Sequence, residues 1–95
     1  MNNNEEVLEQ KKSRNLETIA TVSEITQQLC SGKYERVRHD VIRALTDKKV
    51  PMNKETKPTY QSFVFSVCTV AKNVKNTDLL KRTREFAKTH NLDWN

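Results

Sequence analysis

TYQSFVFSV, residues 59–67, carries apolar side chains at Tyr60, Phe63, Phe65 and Val67. From 63 to 67 they alternate, the two-residue period of a strand with one buried face, although the step from 60 to 63 breaks the parity. The spacing predicts a short strand. VCTVAKNV, residues 67–74, fits strand or helix equally well. A strand at this point makes the chain a helical domain with a β element, so its flanks decide what kind.

Upstream, Leu16 and Ile19 belong to an extended lead-in or to the end of a first helix. Thr21 followed by Glu24 is a capping-box pattern. Val22, Ile25 and Leu29 recur at i, i+3 and i+7, one face of a helix of about two turns. Gly32, the only glycine, suits a helix end that needs positive φ. A second helix restarts near Lys33 or Tyr34, with Tyr34, Val37, Val41 and Leu45 as its apolar stripe and Ile42 widening it. It ends near Asp47, ahead of Pro51. KKVPMNKETKPT, residues 48–59, has both prolines and four lysines and no apolar period, so it reads as a basic loop or hairpin tip. Downstream of the strand, Asn76-Thr77-Asp78 starts a last helix whose stripe is Leu79, Leu80, Thr83, Phe86 and Ala87, closing near Asn91.

The chain has 95 residues, 35% hydrophobic and 31% charged, with a net charge of +5. That is one small core under a heavily charged surface. The basic excess favours an anionic partner. Residues 31–57 hold eight bases against four acids, and residues 72–90 six against two. Residues 1–15 balance three acids with three bases and read as a flexible arm, leaving 16–95 as the domain. Cys30 and Cys68 are expected as buried thiols in a reducing cytosol. No apolar run is long enough for a membrane span and MNNNEEVLEQKK has no signal-peptide core, so the expected location is cytoplasmic.

Helix, Gly turn, basic amphipathic helix, basic loop, strand and helix is the order of a winged helix-turn-helix. In that arrangement the second helix enters the major groove of duplex DNA. Arg36, His39 and Arg43 fall about one turn apart, opposite the apolar stripe, with Arg38 and Glu35 on the flanks. Arginine there can donate bidentately to guanine or hold a phosphate. Ser31 and Lys33 suit phosphate contacts near the helix N-terminus. Lys48, Lys49, Lys54 and Lys57 become the wing.

His39 and His90 read as solvent-exposed, Trp94 as a partial lid, and Tyr34, Phe63 and Phe65 as core. Nothing in the spacing groups a nucleophile with His and an acid, pairs histidines for a metal, or builds a Gly-rich phosphate loop. Neither an enzyme nor a cofactor or metal is expected.

TVSEITQQLCSGKYERVRHDVIRAL, residues 21–45, resembles the N-terminal region of phage regulatory proteins of the Rha type and related antirepressor modules. The likeness rests on Ser23, Glu24 and Ile25, on the Gly32-Lys33 turn, and on Val37, Asp40 and Val41. TYQSFVF and NTDLLKRTREF resemble the strand and helix that follow in that family. Val41 stands where Ile is usual, and Tyr34-Glu35 where a His is often found. The resemblance implies a phage or prophage regulator with a winged-helix-like domain.

The expectation is therefore a mostly α domain with a short β element, a winged helix-turn-helix that binds double-stranded DNA as a transcriptional regulator. The alternative is a protein-binding antirepressor, or an inhibitor of a host nucleic-acid-binding machine, that presents the same basic face to an acidic regulatory or host protein. Homodimerisation is open.

Overall fold

Tyr60, Phe63, Val64, Val67, Cys68 and Ala71 are all buried. Their spacing of i, i+3, i+4, i+7, i+8 and i+11 belongs to a helix. The computed structural model describes the backbone of residues 3–94 and the side chains from Lys12 to Trp94. It has four helices: α1 (Asn3–Cys30), α2 (Tyr34–Thr46), α3 (Lys57–Asn73) and α4 (Thr77–Thr89). Among the described residues there is no strand. The short β element and the winged helix-turn-helix expected from the sequence are therefore corrected to an all-helical domain.

The correction has a packing cause. α3 lies against α1 on one side and α4 on another. A helix buried on two sides needs a wide apolar surface, so half-buried Phe65 and Val70 flank its fully buried stripe. Phe65 between Phe63 and Val67 then gives a spurious alternation. Pro58 occupies the first turn of α3, where its missing N–H costs no hydrogen bond. Lys57, expected at the end of the wing, and Pro58 and Thr59, expected in the basic loop, are helical.

α1 also differs from its expected two turns, since it has 28 residues. The Thr21–Glu24 pattern lies inside it and starts nothing. Residues 3–20 contain neither Pro nor Gly and many good helix formers, so nothing stops the helix upstream. Most of the stretch read as an arm, residues 1–15, falls in this helix; Met1, Asn2 and the side chains up to Lys11 lie outside the described residues. The buried positions of α1 are Val22, Ile25 and Leu29, while Leu16 is 68% exposed.

Three of the four helices, α1, α3 and α4, end by one scheme, whereas α2 ends at Asp47 in extended backbone. Gly32 has φ 77°, Lys33 N–H donates to Gln28 C=O at 2.9 Å, and Gly32 N–H donates to Leu29 C=O at 3.1 Å. This double closure uses carbonyls the helix leaves unsatisfied. Lys75 (φ 57°) does the same for α3 and Asn91 (φ 56°) for α4. The positive φ foreseen at Gly32 and the stop foreseen at Asn91 are both present. Asn76 then caps α4, its side chain accepting from Leu79 N–H at 3.0 Å.

α2 packs on α1 and α4, so the contacts run as a ring: α1, α3, α4, α2 and back to α1. Phe63, Val64, Val67, Val41 and Leu79 fill its centre. Thr83 is buried with its hydroxyl donating to Leu79 C=O at 2.7 Å. Leu92 closes the bottom of the core, whereas Trp94 is 44% exposed, so the lid expected of Trp94 is supplied by its neighbour. Tyr34 and Phe63 are core residues as read; Cys68 is buried, but Cys30 is exposed. His90 is half-buried, its ring 4.7 Å from that of Phe86, where a solvent-exposed side chain was expected. Among the described residues no helix is long and apolar enough to cross a membrane.

Candidate nucleic-acid interface

α2 turns Tyr34, Val37 and Val41 inward. Residues a half-turn away must then face out, and Arg36, His39 and Arg43 are all exposed. They share one face, at i, i+3 and i+7. Lys33 is the N-cap of α2 and makes no side-chain cap, while Ser31 is exposed one residue before Gly32. Arg38 sits on the flank, 3.8 Å from Glu35 across one turn.

Cations on this protein are mostly unmatched. Among the described residues only Arg38 and Arg82 have a carboxylate within ion-pair distance, Arg82 at 2.8 Å from Asp78. Charge is also segregated. Residues 58–71 contain no charged side chain, so α3 presents Ser62, Thr69 and Asn73 outward with no charge among them. The α1–α3 groove beside it is equally neutral: a cleft of about 440 Å³ is lined by Cys30, Phe65, Ser66, Thr69 and Val70, with Cys30 Sγ 3.5 Å from Ser66 Oγ. The middle of α3 and the α1–α3 groove are thus uncharged, while exposed basic side chains stand on α2, the loop that follows it, α4, both ends of α3 (Lys57 and Lys72) and α1 (Lys12 and Arg14).

The ten residues singled out from the sequence do not form one patch. Arg36 and His39 stand clear on α2. Arg43 borders a groove of about 540 Å³ between α1 and α2 whose lining includes Glu17, Glu24, Asp40 and Asp47. Four carboxylates thus share the lining of that groove with Arg43. Lys48 and Lys49 follow α2 directly, and Asp47 Oδ1 accepts from Lys49 N–H at 3.0 Å. Lys54 borders a hollow with Lys12, Arg14 and Asn15 of α1, not with α2. Lys57 opens α3.

The expected wing is a tethered loop. Thr56 is fully buried and its hydroxyl donates to Pro51 C=O at 2.8 Å. Asn53 Nδ2 donates to Asn15 Oδ1 at 2.9 Å, and Asn15 Nδ2 donates to Glu55 Oε2 at 3.0 Å. Residues 50–56 are thereby tied to α1, with no hairpin to reach outward.

Sequence reasoning missed a second basic face. On α4, Lys81, Arg84 and Lys88 recur at i, i+3 and i+7 and are exposed, opposite buried Leu79, Thr83, Phe86 and Ala87. The signal was present in KRTREFAK and in the basic excess of residues 72–90. Among the described residues no group of His, Cys, Asp and Glu is arranged to hold a metal. Tyr60 has its phenol pushed above its ordinary value by burial and then by the Asp47 carboxylate.

No family model, curated protein or solved structure matches this chain.

Proposed function

We propose that this chain is a cytoplasmic DNA-binding regulator that grips duplex DNA through the outward face of α2. The observation that carries the reading is the trio Arg36, His39 and Arg43, exposed on one face of a helix that follows a Gly turn. A helix of 13 residues, about 20 Å long, fits the major groove. Arg36 and His39 are its readers, Lys33 and Lys48 its phosphate contacts, and Arg43 contributes less because of the acids beside it. Regulation would work by occupancy of a promoter, in a phage or prophage setting if the resemblance of residues 21–45 extends to biology. The proposal stands on the α2 face, since the fold that resemblance implies is absent.

One observation favours a second reading. With residues 50–56 tied down, no wing follows the adjacent backbone, and an acidic protein could take the place of duplex. Equilibrium binding to mixed-sequence duplex at several salt concentrations separates the two. Neutralising at least about four phosphates gives a slope of log K against log[salt] of about −4 or steeper. No binding at low salt removes DNA from the account and leaves the protein partner.

A further inference from the structure

The geometry points to the exposed face of α4, built from Lys81, Arg84 and Lys88 with Lys75 ahead of them, as a second grip on the backbone of duplex DNA. It rests on the DNA-binding reading above and supplies what that reading lacks. Lys33 and Lys48 would hold phosphates at the two ends of α2, but the wing expected to grip the flanking backbone is tethered to α1. α4 packs on α3 and more lightly on the end of α2, where Leu45, Thr46 and Asp47 face Arg82, Glu85, Phe86 and Thr89, so Lys81, Arg84 and Lys88 lie beyond that seam.

Three observations fit a phosphate chain. From Lys81 to Lys88 the helix rises about 10 Å, close to the axial rise of three nucleotides along one strand at about 3.4 Å each. Among the described residues none of the three cations has a carboxylate within ion-pair distance; on the α2 side of α4, Asp78 is matched by Arg82 and Glu85 is not. The turn before α4 places Lys75 at φ 57°, exposed, where glycine would be relaxed. An exposed cation thus stands at a left-handed turn position beside the start of α4.

The test uses the full chain and a mixed-sequence duplex. Lys81→Gln, Arg84→Gln and Lys88→Gln combined should keep the melting temperature, because all three side chains are exposed and glutamine is a good helix former. The salt slope should shrink by about two to three units and affinity at ~0.15 M salt should drop on the order of 100-fold. Lys75→Gly should melt higher than wild type yet bind more weakly, with the slope reduced by about one unit. Arg82→Gln, whose charge is already matched, should change the slope least. If wild type binds duplex and the triple variant binds it with the same slope and affinity, the α4 grip is wrong while the α2 reading stands. If wild type binds no duplex, both fall together.

Discussion

Asn53 and Thr56 cap each other: Asn53 Oδ1 accepts from Thr56 N–H at 3.1 Å, and Thr56 Oγ1 accepts from Asn53 N–H at 2.9 Å. This reciprocal pair satisfies two backbone donors where the chain turns into α3. It also fixes the loop after α2 as the entrance to a helix. Asn53→Ala should therefore cost about 1–2 kcal/mol in denaturant unfolding. A change below about 0.5 kcal/mol, as for an ordinary surface position, would mean the loop is free.

α3 can be tested against the strand reading by two neighbours. Val64 is fully buried and Phe65 half-buried. In a helix, Val64→Ala should cost about 2–3 kcal/mol and Phe65→Ala less, despite the larger side chain removed. A strand that buried Phe63, Phe65 and Val67 would reverse the order. Chemical denaturation of both variants decides between them.

What the sequence disclosed depended on local chemistry. Gly32, Asn76 and Asn91 mark helix ends through their own backbone or side-chain preferences, and all three do so in the structure. The stripe of α2 was legible because its buried side is narrow: Tyr34, Val37 and Val41. α3 was not, because half-buried Phe65 and Val70 beside its stripe overlay a two-residue alternation on the helical period. The length of α1 was hidden by the polar side chains of its first half, which carry no buried stripe to read. For the site, Arg36 and His39 could be placed from spacing alone. Two of the four acids in Arg43's groove, Glu17 and Glu24, come from α1, and the tether on residues 50–56 depends on Asn15, so neither was visible before the fold.

Gly32→Ala isolates backbone cost. No atom lies within 4 Å of where the added Cβ would sit, so sterics with neighbours contribute nothing. The φ of 77° remains unfavourable for alanine, and stability should fall by about 1–2 kcal/mol. Thermal unfolding of the variant reads this; an unchanged melting temperature would show that the turn relaxes without glycine.

Tyr60 gives a pH dependence. Its folded pKa lies above the ordinary value of 10.0, first because it is buried and then because Asp47 is near. The folded state therefore holds the phenol proton more tightly than the unfolded chain does. This contribution is complete below pH 10.0 and is lost as pH rises through the folded value. Wild type should lose stability faster than Tyr60→Phe above pH 10.0, with the two profiles parallel below it. Parallel profiles throughout would show that Tyr60 ionises as freely folded as unfolded.

The central claim, that α2 reads duplex DNA, is tested by Arg36→Ala on two duplexes in one buffer: the sequence that wild type selects from a random pool, and a scrambled copy of it. Val41→Ala, from the buried side of the same helix, serves as the stability control. Arg36→Ala should stay within about 0.5 kcal/mol of wild type in stability. It should weaken the selected duplex by about 1–3 kcal/mol and the scrambled one by less. Unchanged affinity for both duplexes contradicts the account.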